Sequence, residues 1–130
     1  MTKLFKLKSF VNKSGTLIPL EIDNKFPIKV KRVFFIYGKK NYLRADHAHK
    51  KCSQYFIPIF GKIKLNYVNK KMKSSKVLDF QKKEGFLLGP KNWCKVRFLT
   101  NKAILMVICD RRYEFDDYIE DYGEFLKFIK

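Results

Sequence analysis

Long apolar runs and paired cysteines are both missing from this chain of 130 residues. The longest apolar run, Ala103 to Cys109, is far shorter than the ~20 residues of a transmembrane helix, and no apolar stretch of signal-peptide length opens the chain. The three cysteines, Cys52, Cys94 and Cys109, form no CxxC pair, which argues against a disulfide framework and against a zinc site. We therefore expect one cytoplasmic domain over residues 1–130, without a membrane partner.

Acidic residues are scarce: 12 stand against 29 basic residues, and the formal net charge is +17. Such a charge is compatible with nucleic-acid binding. The lysines, however, are scattered from Lys3 to Lys130, which favours a compositional bias on solvent-exposed faces. We therefore do not expect nucleic acid as a partner. The few arginines carry more information, because a guanidinium group can grip a phosphate through two parallel hydrogen bonds.

A period of two dominates the sequence. Ile63, Leu65 and Tyr67 alternate with polar residues, as in a half-buried strand. Short strands that recur every 8–12 residues or so, with turn signals between them, predict an all-β sandwich or barrel. Seven further predicted strands are Thr16–Ile22, Tyr42–His49, Gln54–Phe60, Val77–Gln81, Phe86–Leu88, Val96–Leu99 and Ala103–Cys109.

The tail from Glu114 to Lys130 departs from this pattern. Its apolar residues recur at steps of three and four, which predicts a short amphipathic helix. The acidic residues of the tail, among them Asp116 and Asp117, are expected on the solvated face of that helix. An all-β barrel with a short C-terminal helix is the predicted fold.

Histidine is rare, and the two histidines of the chain are neighbours: His47 and His49 are separated only by Ala48. On a strand, positions i and i+2 point to the same face. Two imidazoles on one face suit either a metal ion or proton transfer, whereas the alternative is a surface strand that holds both by coincidence. Imidazole both accepts and returns protons near neutral pH.

The spacing that follows resembles the first motif of the cupin barrels, in which His-x-His and a glutamate ligate a metal. In this chain the carboxylate position holds Gln54, a neutral and poor ligand for a hard divalent ion. The segment that corresponds to the second motif, Gly85 to Lys95, contains no histidine. We therefore predict no metal and no cofactor, and assign His47 and His49 to acid–base chemistry.

Four motifs stand out: Lys31–Phe34, Arg44-x-x-His47-Ala48-His49-Lys50, Gly85–Trp93 and Tyr113-x-x-x-Asp117-Tyr118-Ile119-x-x-Tyr122-x-x-Phe125. Together they resemble the dTDP-4-keto-6-deoxyglucose 3,4-ketoisomerases. The resemblance implies a jelly-roll cupin, a homodimer that often exchanges strands, and a role in deoxyamino-sugar synthesis for surface polysaccharides. Two positions depart from the family pattern, Ala45 in place of glycine and Cys94 in place of a histidine.

The reaction implied by this resemblance moves a carbonyl group from C4 to C3 of the hexose through an enediol(ate). By resemblance, His47 is the base that removes the C3 proton and His49 the group that shuttles it, although the reverse order stays open. The enzyme would be an isomerase whose partner is a dTDP-linked keto-sugar. The expected substrate-binding residues are Arg32, Arg44, Lys50, Trp93 and Arg97.

Arg32 is the most informative of these residues. It lies in a series of apolar residues spaced two positions apart, so that on a regular strand its side chain is on the same face as theirs. The apolar residues are Ile28, Val30, Phe34 and Ile36. A buried arginine needs an anionic partner. The diphosphate of the substrate is one candidate, and an internal carboxylate such as Glu21 is the other.

Two other functions remain open at this point. A dTDP-sugar 3,5-epimerase is a related metal-free cupin with a histidine base. A basic nucleic-acid-binding β-barrel would interleave aromatic and basic residues on one strand face. Phe34, Phe35 and Tyr37 near Arg32 offer only a weak version of that pattern.

Overall fold

Strands form nearly the whole structure. The computed structural model describes residues 1–130 and contains one α-helix, α1, of seven residues, so the predicted all-β fold with a short C-terminal helix is confirmed. No helix is long and apolar enough to span a membrane. The strands are β1 (Thr2–Lys6), β2 (Phe10–Asn12), β3 (Gly15–Leu17), β4 (Arg32–Gly38), β5 (Leu43–His49), β6 (Gln54–Phe60), β7 (Lys62–Val68), β8 (Lys73–Asp79), β9 (Glu84–Leu88), β10 (Trp93–Phe98), β11 (Ala103–Cys109) and β12 (Tyr118–Ile119), and α1 is Tyr122–Phe128.

Two five-stranded antiparallel sheets pack face to face as a cupin jelly roll. One sheet has the order β1-β9-β6-β11-β4, and the other has the order β12-β5-β10-β7-β8. The predicted alternation in β7 is confirmed. Ile63, Leu65 and Tyr67 are buried, whereas the intervening residues Lys62, Lys64 and Asn66 are at least partly exposed. The largest apolar cluster takes residues from both sheets, including Phe56, Phe86, Phe98, Leu105 and Val107.

The N-terminal third differs most from the prediction. The expected strand Thr16–Ile22 is reduced to β3, which pairs with β2 in a hairpin that joins neither large sheet. Pro19 follows closely and cannot donate a backbone hydrogen bond to a ladder. The first strand, β1, was not predicted and pairs with β9.

The predicted helix over Glu114–Lys130 is wrong in its first half. Phe115–Asp117 forms a 3₁₀ turn, and β12 pairs with β5, with Tyr118 opposite His49 and Ile119 opposite Ala48. The helix begins only after Asp121, whose carboxylate caps it by accepting a hydrogen bond from the Glu124 amide at 3.0 Å. Local periodicity could not reveal the pairing with β5, because the partner strand lies far away in the sequence.

Candidate active site

A bulge in β5 aims the two histidines. Opposite β10, the register shifts between Cys94 and Lys95, so that Cys94 pairs with His47 but Lys95 pairs with Ala45. Ala45 and Asp46 have φ angles of 69° and 67°, a left-handed conformation that favours glycine. Beyond this bulge the rings of His47 and His49 lie side by side, with their centroids 5.1 Å apart. Local strain therefore accompanies the placement of the pair.

Asp117 holds His49 in one orientation. The Nδ1 atom of His49 lies 2.9 Å from Oδ2 of Asp117, and both side chains are buried. The same carboxylate accepts hydrogen bonds from the backbone amides of Lys51 at 2.7 Å and Cys52 at 3.3 Å, so the loop after β5 wraps around it. An ionised carboxylate only accepts hydrogen bonds, and Nδ1 of His49 therefore carries the proton.

The other ring nitrogen of His49 has no partner. Its Nε2 atom is fully buried and makes no hydrogen bond. With the proton on Nδ1, Nε2 presents a free lone pair. A buried polar atom without a partner is costly in an ordinary core. At this position it is a ready proton acceptor for a bound molecule.

Burial keeps both imidazoles neutral. Burial first, and then the neighbouring His49, lowers the pKa of His47 to about 4. Burial also lowers the pKa of His49, although the hydrogen bond to Asp117 acts in the opposite direction. Burial raises the pKa of Asp117, but hydrogen bonds from His49 and from the Lys51 and Cys52 amides outweigh it, and the net shift is downward. At neutral pH the site thus contains two uncharged bases and one carboxylate.

Tyr118 connects the histidines to Arg32. Its ring centroid lies 4.9 Å from that of His47 and 4.4 Å from that of His49. Its hydroxyl accepts a hydrogen bond from Nη1 of Arg32 at 3.4 Å. The Arg32 guanidinium also lies over the rings of Phe34 and Tyr113, at 4.8 Å and 5.3 Å from the centroids.

Arg32 has no internal counter-ion. The ion pairs of the structure do not include it, so the alternative of an internal salt bridge with Glu21 is wrong. A partly buried guanidinium group that contacts only aromatic rings and a hydroxyl is free to bind an anionic ligand.

A cavity of about 480 Å³ is lined by His47, Arg32 and Tyr118, and its size is within the roughly 300–1,000 Å³ of small-molecule sites. His49 is not part of this lining, but its ring packs against those of His47 and Tyr118. The wall of the cavity combines a majority of apolar side chains with a few polar groups, as is typical of ligand pockets. Gln54 lies in the wall at the position where a metal-binding cupin carries a carboxylate, and its Nε2 is 3.8 Å from Sγ of Cys109. The polar and ionisable lining residues are Arg32, Arg44, His47, Gln54, Tyr37 and Tyr118.

The other predicted substrate-binding residues lie elsewhere. Trp93 and Arg97 line a larger groove of about 1030 Å³ that contains neither histidine. There the Trp93 indole donates a hydrogen bond to Oδ1 of Asp46 at 3.0 Å, and Nη1 of Arg97 donates to the Asn41 carbonyl at 3.2 Å. Lys50 lines a third depression. We favour the smaller cavity as the site because it is lined by His47 together with Arg32 and Arg44. A role for Trp93, Arg97 and Lys50 stays a prediction.

Asp117 and Tyr118 are the site residues that the residue pattern missed. Asp117 was expected on a solvated helix face, yet it is only 7% exposed. Composition and periodicity gave no sign of it. The one available signal was the Tyr113-to-Phe125 motif, which contributed to the family resemblance without assigning a role to either residue.

Two sets of side chains could ligate a metal. The cupin set, His47 and His49 with Gln54, lacks a carboxylate and offers an amide in its place. A second set lies behind His49, where ligand atoms of His49, Cys52 and Asp117 are all within 4.8 Å of one another.

The fold is that of a cupin, and its candidate site brings two neutral imidazoles close to a guanidinium group. The chain matches the family model described as "FdtA: WxcM-like, C-terminal" over residues 1–130 and belongs to that family, which confirms the resemblance seen in the motifs. A curated relative from Aneurinibacillus thermoaerophilus, TDP-4-oxo-6-deoxy-alpha-D-glucose-3,4-oxoisomerase, is 27% identical over 128 residues, which cover 98% of this chain and 91% of the relative.

Solved structures agree with this membership. The 3,4-ketoisomerase QdtA from Thermoanaerobacterium thermosaccharolyticum, a mutant in complex with TDP-4-keto-6-deoxyglucose, superposes with a TM-score of 0.91 at 27% identity, covering 98% of this chain and 93% of that chain. A 3,4-ketoisomerase from Helicobacter canadensis gives a TM-score of 0.91 at 29% identity, with 98% and 96% covered.

Proposed function

We propose that this protein is a TDP-sugar 3,4-ketoisomerase that converts dTDP-4-keto-6-deoxy-D-glucose into a dTDP-3-keto-6-deoxyhexose. Its family and its relatives support this activity. The observation that carries the chemistry is the buried, unpartnered Nε2 of His49, fixed through Nδ1 by Asp117 and placed beside His47.

The two imidazoles divide the proton transfers. His47 takes the proton from C3, which the neighbouring C4 ketone makes acidic, and an enediolate forms. A proton then moves between O3 and O4, and C4 is reprotonated, so that the C4 carbonyl becomes a hydroxyl while the C3 hydroxyl becomes a carbonyl. His49 carries the proton that moves between O3 and O4. This role suits an imidazole whose protonated form is stabilised by a carboxylate. The reaction is redox-neutral within one molecule and needs no external oxidant.

Arg32 and Arg44 supply the positive charge. Both line the cavity that contains His47, and Arg32 has no carboxylate partner. A guanidinium group in this position binds the diphosphate of a nucleotide or stabilises negative charge on the enediolate. The substrate thus provides the counter-ion that the protein itself does not.

We also propose that the reaction requires no metal, because Gln54 occupies the carboxylate position of the cupin set. Activity should therefore survive dialysis against EDTA. Loss of activity that only one divalent ion restores would overturn this part of the proposal.

Two exposed surfaces support a homodimer with exchanged strands. All residues of β2 and β3 are exposed, and this hairpin pairs with neither large sheet. At the edge of its sheet, β4 exposes Val33, Phe35 and Tyr37 at 46%, 52% and 77%. Unpaired, apolar edge strands invite pairing with a second chain. Light scattering should give the mass of a dimer, and Phe35→Asp should shift it toward the monomer.

A coupled assay tests the activity and its place in metabolism. The protein is incubated with dTDP-4-keto-6-deoxyglucose and a pyridoxal-phosphate aminotransferase specific for 3-keto sugars, and NMR should show a 3-amino sugar nucleotide. Such a product would fit a cytoplasmic step in the synthesis of deoxyamino sugars for surface polysaccharides. In D₂O, deuterium at C3 and C4 marks a ketoisomerase, whereas deuterium at C3 and C5 marks the alternative 3,5-epimerase. No turnover with the folded protein would overturn the proposal.

A further inference from the structure

A group of potential metal-ligand atoms lies on the Nδ1 side of His49. The proposed proton transfer uses only some of these atoms. Ligand atoms of His49, Cys52 and Asp117 lie within 4.8 Å of one another, and all three residues are buried. The Cys52 thiol donates a hydrogen bond to the Ser53 carbonyl at 3.3 Å. This set is different from the cupin set of His47, His49 and Gln54, because it includes the thiol of Cys52 and lies on the Nδ1 side of the His49 ring.

We propose that this cluster is an inhibitory zinc site, in which His49 Nδ1, Asp117 Oδ2 and Cys52 Sγ bind one ion and water takes the fourth position. Mixed nitrogen, sulfur and oxygen donors suit Zn²⁺, whereas Mg²⁺ and Ca²⁺ prefer oxygen alone. Donors bound to one tetrahedral zinc ion lie roughly 3.3–3.8 Å apart. To admit the ion, His49 Nδ1 and Asp117 Oδ2 must therefore separate from 2.9 Å, and the longest separation in the cluster must shorten from no more than 4.8 Å.

Charge balance favours the bound state. Asp117 is a buried carboxylate whose partners are a neutral imidazole and two backbone amides. When Zn²⁺ binds, the Cys52 thiol releases its proton to solvent and becomes a thiolate. One thiolate and one carboxylate then neutralise the two charges of the ion, so that the buried complex carries no net charge.

The ion would stop the reaction by changing the tautomer of His49. Zinc at Nδ1 displaces the proton from that nitrogen, and in the neutral ring the proton then resides on Nε2. An Nε2–H group is a donor and has no lone pair with which to accept a proton from the substrate. Zinc binding itself does not depend on the proposed isomerase activity, but the inhibition does.

Cobalt provides a direct readout that is independent of turnover. Titration of the reduced full-length protein with Co²⁺ should give tetrahedral d–d bands and a thiolate-to-cobalt charge-transfer band at one ion per chain, and Zn²⁺ should abolish both. Cys52→Ser and Cys52→Ala should remove the charge-transfer band and weaken binding at least about tenfold, the smallest loss that removing even a supporting residue usually causes. Cys94→Ser, the matched control at a cysteine outside the cluster, should leave the spectrum unchanged.

Measurements of isomerase activity provide a second test of the zinc site. Zn²⁺ should inhibit the wild-type protein, EDTA should restore activity, and a folded Cys52→Ser variant should turn over the substrate but resist zinc. The site is refuted if Co²⁺ does not bind, if it binds without sulfur bands, or if the bands survive in both Cys52 variants. Zinc inhibition that persists in Cys52→Ser would place the ion on the cavity side, between His47 and His49. If no isomerase activity is found but the cobalt spectrum behaves as expected, the site stands and the proposed function fails.

Discussion

His49 Nδ1 and Asp117 Oδ2 lie 2.9 Å apart across 68 positions of sequence. The contact depends on the pairing of β12 with β5, which places Tyr118 opposite His49 and leaves Asp117 at the start of the short strand. Two backbone amides of the loop after β5 fix the carboxylate. The tail of the chain is therefore part of the proposed active site, because it determines which nitrogen of His49 carries the proton.

Asp117→Asn should lower kcat by on the order of 10²–10⁴-fold, the range seen when a catalytic imidazole loses its acid–base role or its correct tautomer. The side chain keeps its size but loses its charge, so the fold should persist. Asp116→Asn, at the exposed neighbouring position, is the matched control and should behave like the wild type. Steady-state kinetics with circular dichroism on both variants checks this, and wild-type kcat in Asp117→Asn would remove Asp117 from the mechanism.

The sequence was sufficient for those features that depend on local periodicity. The alternation in β7 follows from a two-residue period, and the common face of His47 and His49 follows from their i, i+2 spacing. The contact with Asp117 could not be predicted in this way, since the tail residues also fit a helical period and only pairing with β5 decides between them. The bulge at Ala45 and Asp46 was equally hidden, because neither residue is a glycine that would mark a left-handed conformation.

The acid limb of the pH profile should lie below the ordinary imidazole pKa. The active forms of both histidines are neutral, and burial lowers the pKa of each, to about 4 for His47. Activity is therefore retained as the pH falls through ~6.5 and is lost only at more acidic pH. Because the carboxylate raises the pKa of His49, residual activity in Asp117→Asn should show an acid limb at still lower pH. The measurement is kcat/KM against pH, and a limb at 6.5 or above would contradict the neutral pair.

Arg32→Met and Arg44→Met should each weaken dTDP binding by about 10–100-fold, which corresponds to the loss of a charge-assisted hydrogen bond. Isothermal titration calorimetry measures the change, with the exposed Arg112→Met as the control. Unchanged affinity in both folded variants would show that neither arginine binds the nucleotide. A loss seen only in Arg97→Met would move the nucleotide to the groove lined by Trp93 and Arg97.

Ala45→Gly should stabilise the protein. A left-handed φ of 69° costs a non-glycine residue roughly 1–2 kcal/mol, whereas glycine adds about 0.5–1 kcal/mol of unfolded-state entropy, so the net gain is up to about 1.5 kcal/mol. Ala48→Gly on the same strand is the matched comparison. Ala48 is 1% exposed and has no positive φ, so the same substitution there should destabilise. Denaturant unfolding gives both values, and a loss of stability in Ala45→Gly would show that the bulge carries no strain.

Substitution of the histidines tests the mechanism as a whole. Removing a general base typically slows a reaction by about 10²–10⁴-fold, so His47→Asn should nearly abolish turnover while the fold stays intact. His49→Asn should be comparably slow if His49 shuttles the proton, and milder if it only orients the substrate.

Exchange of the C3 hydrogen in D₂O, followed by NMR, separates the two roles. His49→Asn should still exchange this hydrogen but form little 3-keto product, because removal of the C3 proton requires only His47 and the later transfer requires His49. If His47→Asn keeps the exchange and His49→Asn loses it, the roles are reversed, and Asp117 then orients the base that removes the C3 proton. Full turnover in both variants would mean that the imidazole pair is not the catalytic centre, since no other histidine exists in the chain to replace it.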